Sequence, residues 1–389
     1  MLDFKYLVPT EIIFGRGAEE SLAEMIVKYG GSRVAVVYGE GSAIKSGLIA
    51  KTESKLKSSG ISYFLFGGVK PNPHLEHARE GIKKALEHKA DMVVAVGGGS
   101  AIDTAKAIAH GAANPGADIW KIWRGEQTIA ATLPVGVALT IPAAGSETSN
   151  SAVLTNKATG EKRGFLTELN RPKFALLNPE LAQTLPKYQI ACGIVDIFMH
   201  TLDRYFMKSD ENEFTTEIAE ALMRVVIANG KKAVESDADG LYQPMSELMW
   251  AGSVSHNGLT GLGCVPDFSV HQLGHELSGM FDIAHGASLS IMWGAWARYV
   301  LSEKPRRFDR YAKKVWDAPG AERGVEKTEE FFASLGMPVK FSDAPFGIQP
   351  DETIGELALK CSFFDSRTVG QFKKLTKEDL SSIYKSANR

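Results

Sequence analysis

Imidazole and carboxylate side chains recur at helical spacing in the second half of this chain. His271 and His275 lie four residues apart, and His285 follows ten residues later. Asp196 and His200 form a second pair with the same four-residue spacing. Residues four apart project from one face of a helix, so each pair predicts two side chains that can act together. Imidazole and carboxylate groups are natural ligands of divalent transition metals.

The surroundings of these side chains favour a metal over two isolated pairs. Either pair alone would indicate a helix ion pair or a hydrogen-bonded pair in the core. Both pairs have apolar neighbours, however, and burying so many polar groups without a metal would leave polar atoms unpaired. No cysteine accompanies the set, so we expect mixed oxygen and nitrogen ligands with an open, catalytic position. Gly279 and Gly286 predict turns on either side of His285.

A glycine-rich segment in the first half predicts a phosphate-binding turn. Residues 97–100 read Gly-Gly-Gly-Ser, between an apolar strand at 91–96 and a predicted helix at 101–110. Glycine lets the backbone approach a ligand, and a helix N-terminus offers unpaired N–H groups to a phosphate. The alternative is a plain strand-to-helix turn capped by Ser100. A second segment of small and hydroxyl residues, 140–150, either closes over the same ligand or is only a polar loop.

Two better-known nucleotide motifs are not supported. The dinucleotide fingerprint G-x-G-x-x-G is absent. Residues 39–46 follow a predicted strand and nearly match the P-loop pattern, but Ile44 occupies the position of its second glycine. A Cβ atom there would obstruct the backbone cradle around a phosphate, so nucleotide hydrolysis at this segment is not expected.

The pattern of elements predicts an α/β first half and a helical second half. Short apolar strands alternate with helical patterns before residue 178, as in a parallel sheet covered by helices. After Pro186 long helical patterns replace the strand signals. We therefore predict two domains, residues 1–185 and 186–389. The expected strands are 33–38, 61–66, 91–96, 135–141 and 173–177, and the expected helices include 74–89, 101–110 and 214–229.

Composition and charge narrow the class of protein. The 389 residues are 23% charged and 44% apolar, which is ordinary for a soluble globular protein. A net charge of −2 gives no reason to expect nucleic acid or an anionic membrane as partner. The three cysteines are far apart, the N-terminus does not resemble a signal peptide, and no apolar run reaches the roughly 18 residues of a membrane span. The cytoplasm is the expected location.

Taken together, these motifs resemble the metal-dependent, iron-containing alcohol dehydrogenase family. The resemblance is greatest for its branch of butanol dehydrogenases and broad-specificity aldehyde reductases, and it covers nearly the whole chain. Its most specific part is the histidine spacing together with the Asp-x3-His pair. The matching segments are Phe14-Gly-Arg-Gly17, Gly97-Gly-Gly-Ser100-x-x-Asp103, Gly145-Ser146-Glu147, Asn178-Pro179-Glu180, Leu185-Pro186, Asp196-x3-His200 and His271-x3-His275-x9-His285-Gly286.

The resemblance implies a dehydroquinate synthase-like fold of two domains. The first is an N-terminal, Rossmann-like parallel α/β domain that binds a dinucleotide. The second is a C-terminal all-helical domain that binds the metal and carries catalysis. The family places its active site in the cleft between them, and a homodimer is its common state.

The resemblance also implies roles for individual residues. The four metal ligands would be Asp196, His200, His271 and His285. His275 would lie near the nicotinamide and the substrate as a proton relay, with a packing role as the alternative. The residues expected along the dinucleotide are Gly97, Gly98, Gly99, Ser100, Asp103, Thr140 and Thr148.

The implied reaction is hydride transfer between NAD(P)H and a small alcohol or aldehyde, such as butanol or butanal. One divalent metal, Fe²⁺ or Zn²⁺, would act as a Lewis acid on the substrate oxygen. Family members with an acidic residue at the tip of the strand ending at Tyr38 prefer NAD. Here the tip is Gly39, with Ser42 and Lys45 able to contact a 2′-phosphate, so NADPH is expected over NADH. Glu40 is the counter-argument, because a shift of one residue would restore the acid.

There are three rival interpretations, of which two are enzymes of the same fold and one is a protein of another class. A dehydroquinate-synthase-like enzyme should show another ligand set and several basic residues for a phosphate-bearing substrate. A glycerol-dehydrogenase-like polyol enzyme would differ in its substrate-binding residues, which the sequence does not identify, so this alternative stays open. A non-catalytic metal- or nucleotide-binding relative would be free to lose either the ligands or the glycine segment, and both are intact.

Overall fold

The computed structural model describes residues 1–209 and 212–389. Its strands all precede Asn178, among the residues that are described, and the helices beyond that point are long and closely packed. The strands are β1 (Glu11–Phe14), β2 (Arg33–Gly39), β3 (Ser62–Val69), β4 (Met92–Gly97), β5 (Val135–Leu139), β6 (Ser151–Asn156), β7 (Glu161–Leu166) and β8 (Phe174–Leu177).

Six of these strands form one parallel sheet in the order β1-β8-β5-β4-β2-β3. Strand β4 lies inside the sheet, and all six of its residues are buried. This burial on both faces explains its continuous apolar sequence, which is typical of parallel strands covered by helices. The remaining two strands, β6 and β7, pair as an antiparallel hairpin.

Helices cover the sheet and make up most of the second half. Those that concern the functional residues are α2, α5, α7, α9, α10 and α11. In chain order the helices are α1 (Leu22–Lys28), α2 (Ser42–Lys45), α3 (Leu48–Ser58), α4 (Leu75–Glu87), α5 (Gly99–Ala113), α6 (Ile119–Trp123), α7 (Lys187–Tyr205), α8 (Glu213–Glu235), α9 (Tyr242–His256), α10 (Ser269–Phe281), α11 (His285–Val300), α12 (Pro305–Trp316), α13 (Ala321–Ser334), α14 (Asp351–Cys361) and α15 (Lys377–Ala387).

The predicted α/β half and helical half are confirmed. All five expected strands are present, as β2, β3, β4, β5 and β8. The expected helices at 74–89, 101–110 and 214–229 correspond to α4, α5 and α8. Strand β1 and the β6–β7 hairpin were not predicted. Strand β1 has only four residues, and the hairpin alternates partly buried with buried positions too weakly to give a clear strand signal.

The prediction of turns at Gly279 and Gly286 is wrong. Gly279 lies inside α10, and Gly286 is the second residue of α11. The chain turns between these helices at Asp282, whose backbone is left-handed with a φ of 54°. Glycine at these two positions therefore does not mark the turn.

The chain divides into two compact units. One contains residues 7–185 and 238–253, and the other contains residues 1–6, 186–237 and 254–389. The predicted domains of 1–185 and 186–389 differ from these units at residues 1–6 and 238–253. Nothing in the local sequence of these two segments signals the exchange. Within the described part of the chain, no helix combines the length and apolar character that crossing a membrane requires.

Candidate metal centre and phosphate-binding turn

Helix α7 carries the first two candidate ligands. Asp196 and His200 are one turn apart on it, and both side chains are buried. The Nε2 atom of His200 lies 3.3 Å from Oδ1 of Asp196. The predicted pairing on one helix face is therefore present, in an apolar part of the helix that includes Ile197 and Phe198.

Two further imidazoles approach the same carboxylate oxygen from α10 and α11. His271 Nε2 lies 3.8 Å from Oδ1 of Asp196, and His285 Nε2 lies 3.7 Å from it. His285 is the first residue of α11, and Gly286 follows it directly. A Cβ atom on Gly286 would overlap the carbonyl oxygen of Cys192 in α7. Glycine thus permits the close approach of α11 to α7 that brings His285 to Asp196.

Three of the four candidate ligands form a donor set that fits a metal ion, and His285 is placed by its distance to Asp196 alone. Asp196, His200 and His271 each offer a ligand atom, and these atoms all lie within 4.8 Å of one another. Tetrahedral ligands at 2.0–2.2 Å from a metal are separated by roughly 3.3–3.6 Å, close to the distances measured here. Oδ1 of Asp196 and Nε2 of His271 are buried and, among the described residues, have no hydrogen-bond partner. Buried polar atoms are rarely left unpaired, and a cation at their centre would satisfy both.

Burial and neighbouring charges set the protonation of the imidazoles. Burial, reinforced by His256 and His271, holds the pKa of His200 well below its usual value, so this ring is neutral. Burial also opposes charge on His271, but the carboxylates of Asp196 and Asp203 outweigh it and raise its pKa. Metal ligation needs neutral imidazoles, so a bound cation would displace the proton that His271 otherwise favours.

Two residues near this cluster were not predicted from the sequence. Asp203 Oδ2 lies 2.5 Å from Nδ1 of His271 and also accepts a hydrogen bond from its backbone N–H. Asp203 follows Asp196 by seven residues, two helical turns, and that spacing could have identified it. His256, the last residue of α9, packs its ring against His200 with centroids 3.8 Å apart. No local pattern signals His256, because its contact with His200 joins residues that are far apart in the chain.

The predicted proton relay lies beside the cluster. His275 is half-buried in α10, and its ring centroid is 5.3 Å from that of His285 and 6.5 Å from that of His271. The structure therefore brings His275 next to two of the candidate ligands.

The glycine-rich turn joins β4 to α5 as expected. Strand β4 ends at Gly97, Gly98 is the N-cap, and α5 begins at Gly99. No side chain caps the helix among the described residues, so Ser100 is not the cap that the alternative interpretation required. The first backbone N–H groups of a helix have no partner within it. With the helix dipole they make this end of α5 suitable for a phosphate.

The three glycines differ in what a side chain would meet. A Cβ atom on Gly97 would lie 2.8 Å from Cβ of Ala101, and one on Gly98 would lie 2.9 Å from Cβ of Ile141. Both positions therefore need glycine for packing alone. A Cβ atom on Gly99 would lie 3.4 Å from Cβ of Ala144, an ordinary contact. Packing therefore does not explain why residue 99 is glycine.

Asp103 connects α5 to the segment that follows β5. Its Oδ1 accepts a hydrogen bond from Ser146 at 2.6 Å, and its Oδ2 accepts one from the backbone N–H of Val153 at 2.9 Å. Burial raises the pKa of Asp103, against the effect of nearby Lys106. Lys106, which the sequence analysis did not single out, is fully buried and donates to the backbone oxygens of Ser146 and Ser151, both at 2.7 Å. Burial lowers its pKa to about 8.

The two predicted threonines lie in the same unit as this turn. The backbone N–H of Thr140 donates to the carbonyl of Gly97 at 3.1 Å, so Thr140 is adjacent to the glycines. Thr148 is fully buried, and its hydroxyl donates to the carbonyl of Ser253 at 3.1 Å.

The remaining cofactor candidates follow the neighbouring strand. Strand β2 ends at Gly39, and the exposed residues Ser42 and Lys45 begin and end the short helix α2. Strand β2 pairs with β3 on one side and β4 on the other, so the direction of the chain across the sheet reverses between β2 and β4. Ligands of open parallel sheets bind at the carboxyl ends of strands at such a point. The structure thus brings both predicted cofactor segments to this edge of the sheet.

Two family profiles match the chain. The profile described as "Iron-containing alcohol dehydrogenase" matches residues 9–179. The profile described as "Fe-containing alcohol dehydrogenase family, C-terminal" matches residues 190–388.

Individual relatives match over all or nearly all of their length. The chain is 37% identical to NADH-dependent butanol dehydrogenase A of Clostridium acetobutylicum, covering 99% of both chains. It is 34% identical to the NADPH-dependent aldehyde reductase YqhD of Escherichia coli, covering 100% of both. Among solved structures, NADH-dependent butanol dehydrogenase A of Thermotoga maritima matches with a TM-score of 0.95 at 34% identity, over 100% of this chain and 99% of that one.

Proposed function

The chain belongs to the iron-containing alcohol dehydrogenase family, and we propose that Asp196, His200, His271 and His285 bind the metal of its reaction. It is an NAD(P)H-dependent oxidoreductase of the branch that contains butanol dehydrogenases and aldehyde reductases. The proposed substrates are small aldehydes and alcohols, with butanal and butanol as the first pair to test.

One observation supports the metal site above the others. Three imidazole Nε2 atoms, from three different helices, lie 3.3–3.8 Å from a single carboxylate oxygen in a buried environment. If hydrogen bonds to Asp196 explained the arrangement, one or two of these nitrogens would lie closer to Oδ1 and the others would lie farther from it. Separation of all three by a similar distance is typical of ligands arranged around a cation.

The residues of this chain have distinct parts in the proposed reaction. When bound, a divalent metal held by Asp196 and the three imidazoles would supply a Lewis acid for the substrate oxygen, and a nicotinamide would supply the hydride. Asp203 holds His271 in one orientation through Nδ1, which leaves Nε2 directed toward Asp196. His275, beside His285, is the candidate that donates a proton to the substrate oxygen as the alcohol forms, or accepts a proton from the alcohol in the reverse direction.

The proposed cofactor site combines the turn of residues 97–100 with Gly39, Ser42 and Lys45. The N-terminus of α5 would receive the pyrophosphate, and Gly99 would allow its close approach. Ser42 and Lys45 are exposed after β2 and could bind a 2′-phosphate, which favours NADPH over NADH. Glu40, the acidic residue that would instead favour NADH, is also exposed. Its carboxylate lies 3.8 Å from the ammonium of Lys70.

The metal site is tested by substitution of two ligands. His271→Ala and His285→Ala should each lower the bound metal below one equivalent and abolish butanal reduction. Binding of NADPH, followed by its fluorescence, should stay close to that of the unchanged protein. His88→Ala, which removes an exposed imidazole in the other unit, is the matched control. Full turnover in either ligand variant would refute the site.

Three broader proposals accompany this function. The metal is Fe²⁺ or Zn²⁺, because one carboxylate and three imidazoles suit both ions. The functional state is a homodimer, which light scattering would report as twice the mass of the single chain. The proposed location is the cytoplasm, and fractionation of cells that produce the protein tests it.

A further inference from the structure

His256 occupies a defined position at the end of α9. The helix stops there because Gly258 takes a left-handed backbone with a φ of 106°. Asn257 then accepts a hydrogen bond from the backbone N–H of Leu259 at 2.9 Å. The hydroxyl of Thr260 donates to the carbonyl of Ser255 at 3.3 Å. These contacts fix the turn that follows His256, and they therefore fix the backbone from which the His256 side chain projects.

The next turn of chain packs against the helix that carries the metal ligands. Residues Leu259–Gly261 form a 3-10 helix, and a Cβ atom on Gly261 would lie 3.1 Å from the side chain of Arg204. Arg204 in turn donates from Nη1 to the carbonyl of His200 at 2.8 Å. The backbone after His256 is therefore linked to α7 at the level of His200.

His200 and His271 are held in different ways. The Nδ1 atom of His271 is fixed by the carboxylate of Asp203, as is usual for a ligating imidazole. The Nδ1 atom of His200 is buried and has no hydrogen-bond partner in the part of the chain that the structure describes. Its ring instead packs against those of His256 and His271, with centroid distances of 3.8 and 4.2 Å.

The rings of His256 and His200 are in direct packing contact, tilted with respect to each other. An N–H···N hydrogen bond needs about 2.9 Å between nitrogens, which would place two imidazole centroids roughly 5 Å apart. The measured 3.8 Å is shorter, and the planes are inclined by 47°. Only a packed arrangement of the two rings gives this distance.

We propose that His256 is a positioning residue for the metal centre, which fixes the plane of the His200 ring by packing on its face. The proposal rests on the proposed metal site and adds to it a residue that supplies no ligand atom. With Nδ1 unbonded, the packed ring takes the place of the carboxylate that orients His271. Removing it would let the His200 ring rotate, so Nε2 would spend less time directed at Asp196.

Cobalt binding tests this role without relying on turnover. The metal-free protein would be titrated with Co²⁺ against a chromophoric chelator, and the visible spectrum of bound Co²⁺ would report ligand geometry. The variants are His256→Ala, which removes the ring, and His256→Phe, which keeps a ring without nitrogen. His88→Ala is the control, because it removes a ring that packs on Phe64 with centroids 4.5 Å apart in the other unit. Circular dichroism would establish that each variant is folded.

We expect His256→Ala to weaken Co²⁺ binding about tenfold and to alter its spectrum, as loss of an orienting partner does elsewhere. His256→Phe and His88→Ala should bind Co²⁺ like the unchanged protein. Unchanged affinity and spectrum in His256→Ala would overturn the proposal. Equal weakening in a folded His256→Phe would overturn it too, because the nitrogens rather than the ring face would then matter. If the unchanged protein binds no Co²⁺, the proposed metal site itself fails, which is a separate result.

Discussion

At the scale of single residues, the centre depends on how each imidazole is held. Asp196 supplies the shared oxygen, and Asp203 fixes His271 from behind at 2.5 Å. Such outer partners set ring orientation and ligand basicity, so their loss weakens metal binding without removing a ligand. The two buried carboxylates on α7 therefore have different parts.

Asp203→Asn should lower metal affinity by about 10- to 100-fold and reduce turnover at limiting metal. The amide can still accept a hydrogen bond from His271, but it lacks the charge that strengthens the contact. Competition with a chelator measures the affinity. Asp309→Asn, an exposed carboxylate in α12, is the control and should change nothing. An unchanged affinity in Asp203→Asn would show that the carboxylate does not support the ligand.

Residue types and spacing predicted the candidates but not all of their surroundings. The pairs Asp196/His200 and His271/His275 were visible because helical spacing is a local property. Assigning His285 and separating His275 from the ligands required the family resemblance. His256 could not be predicted, because its contact with His200 arises from packing of distant segments.

At the scale of elements, the strand–turn–helix of β4 and α5 carries the cofactor argument. The apolar strand and its glycines were clear in the sequence. Which of the glycines packing requires became clear only from the positions of Ile141 and Ala144. Strand β1 and the β6–β7 hairpin were missed, because four residues or weak alternation give little signal.

Gly98→Ala and Gly99→Ala should separate the two reasons for glycine. Gly98→Ala forces Ile141 away and should cost about 1–3 kcal/mol of stability. Gly99→Ala meets only an ordinary contact and should leave stability within about 0.5 kcal/mol, while weakening NADPH binding roughly tenfold. Denaturation and fluorescence titration measure the two effects. Normal NADPH affinity in Gly99→Ala would argue against a phosphate at this turn.

Lys106→Met should loosen the segment after β5. The substitution removes the ammonium that donates to the carbonyls of Ser146 and Ser151, and it leaves Asp103 without its neighbouring cation. Breaking such a buried set costs about 3–5 kcal/mol. Hydrogen exchange at residues 146–151 should rise accordingly. Lys83→Met, at an exposed site in α4, should cost less than about 0.5 kcal/mol. Equal protection of residues 146–151 in Lys106→Met and the unchanged protein would contradict this account.

At the scale of the whole molecule, the two units are not simple halves of the sequence. Residues 238–253 belong to the unit that contains the sheet, although they come after residue 185, near which strand patterns give way to helical patterns. Hydrophobic periodicity predicts elements but not which core a helix joins, so this exchange was beyond the sequence. The order of strands likewise became known only from the structure. It brings the ends of β2 and β4 to one edge.

The most direct test of the account is metal reconstitution. The protein would be stripped with chelator, restored anaerobically with Fe²⁺ or Zn²⁺, and assayed with butanal and either NADPH or NADH. We predict loss of activity on stripping, recovery with one of the two ions, and faster turnover with NADPH. Faster turnover with NADH would overturn only the cofactor preference. Full activity in protein shown to be free of metal would contradict the central claim that this centre performs metal-dependent aldehyde reduction.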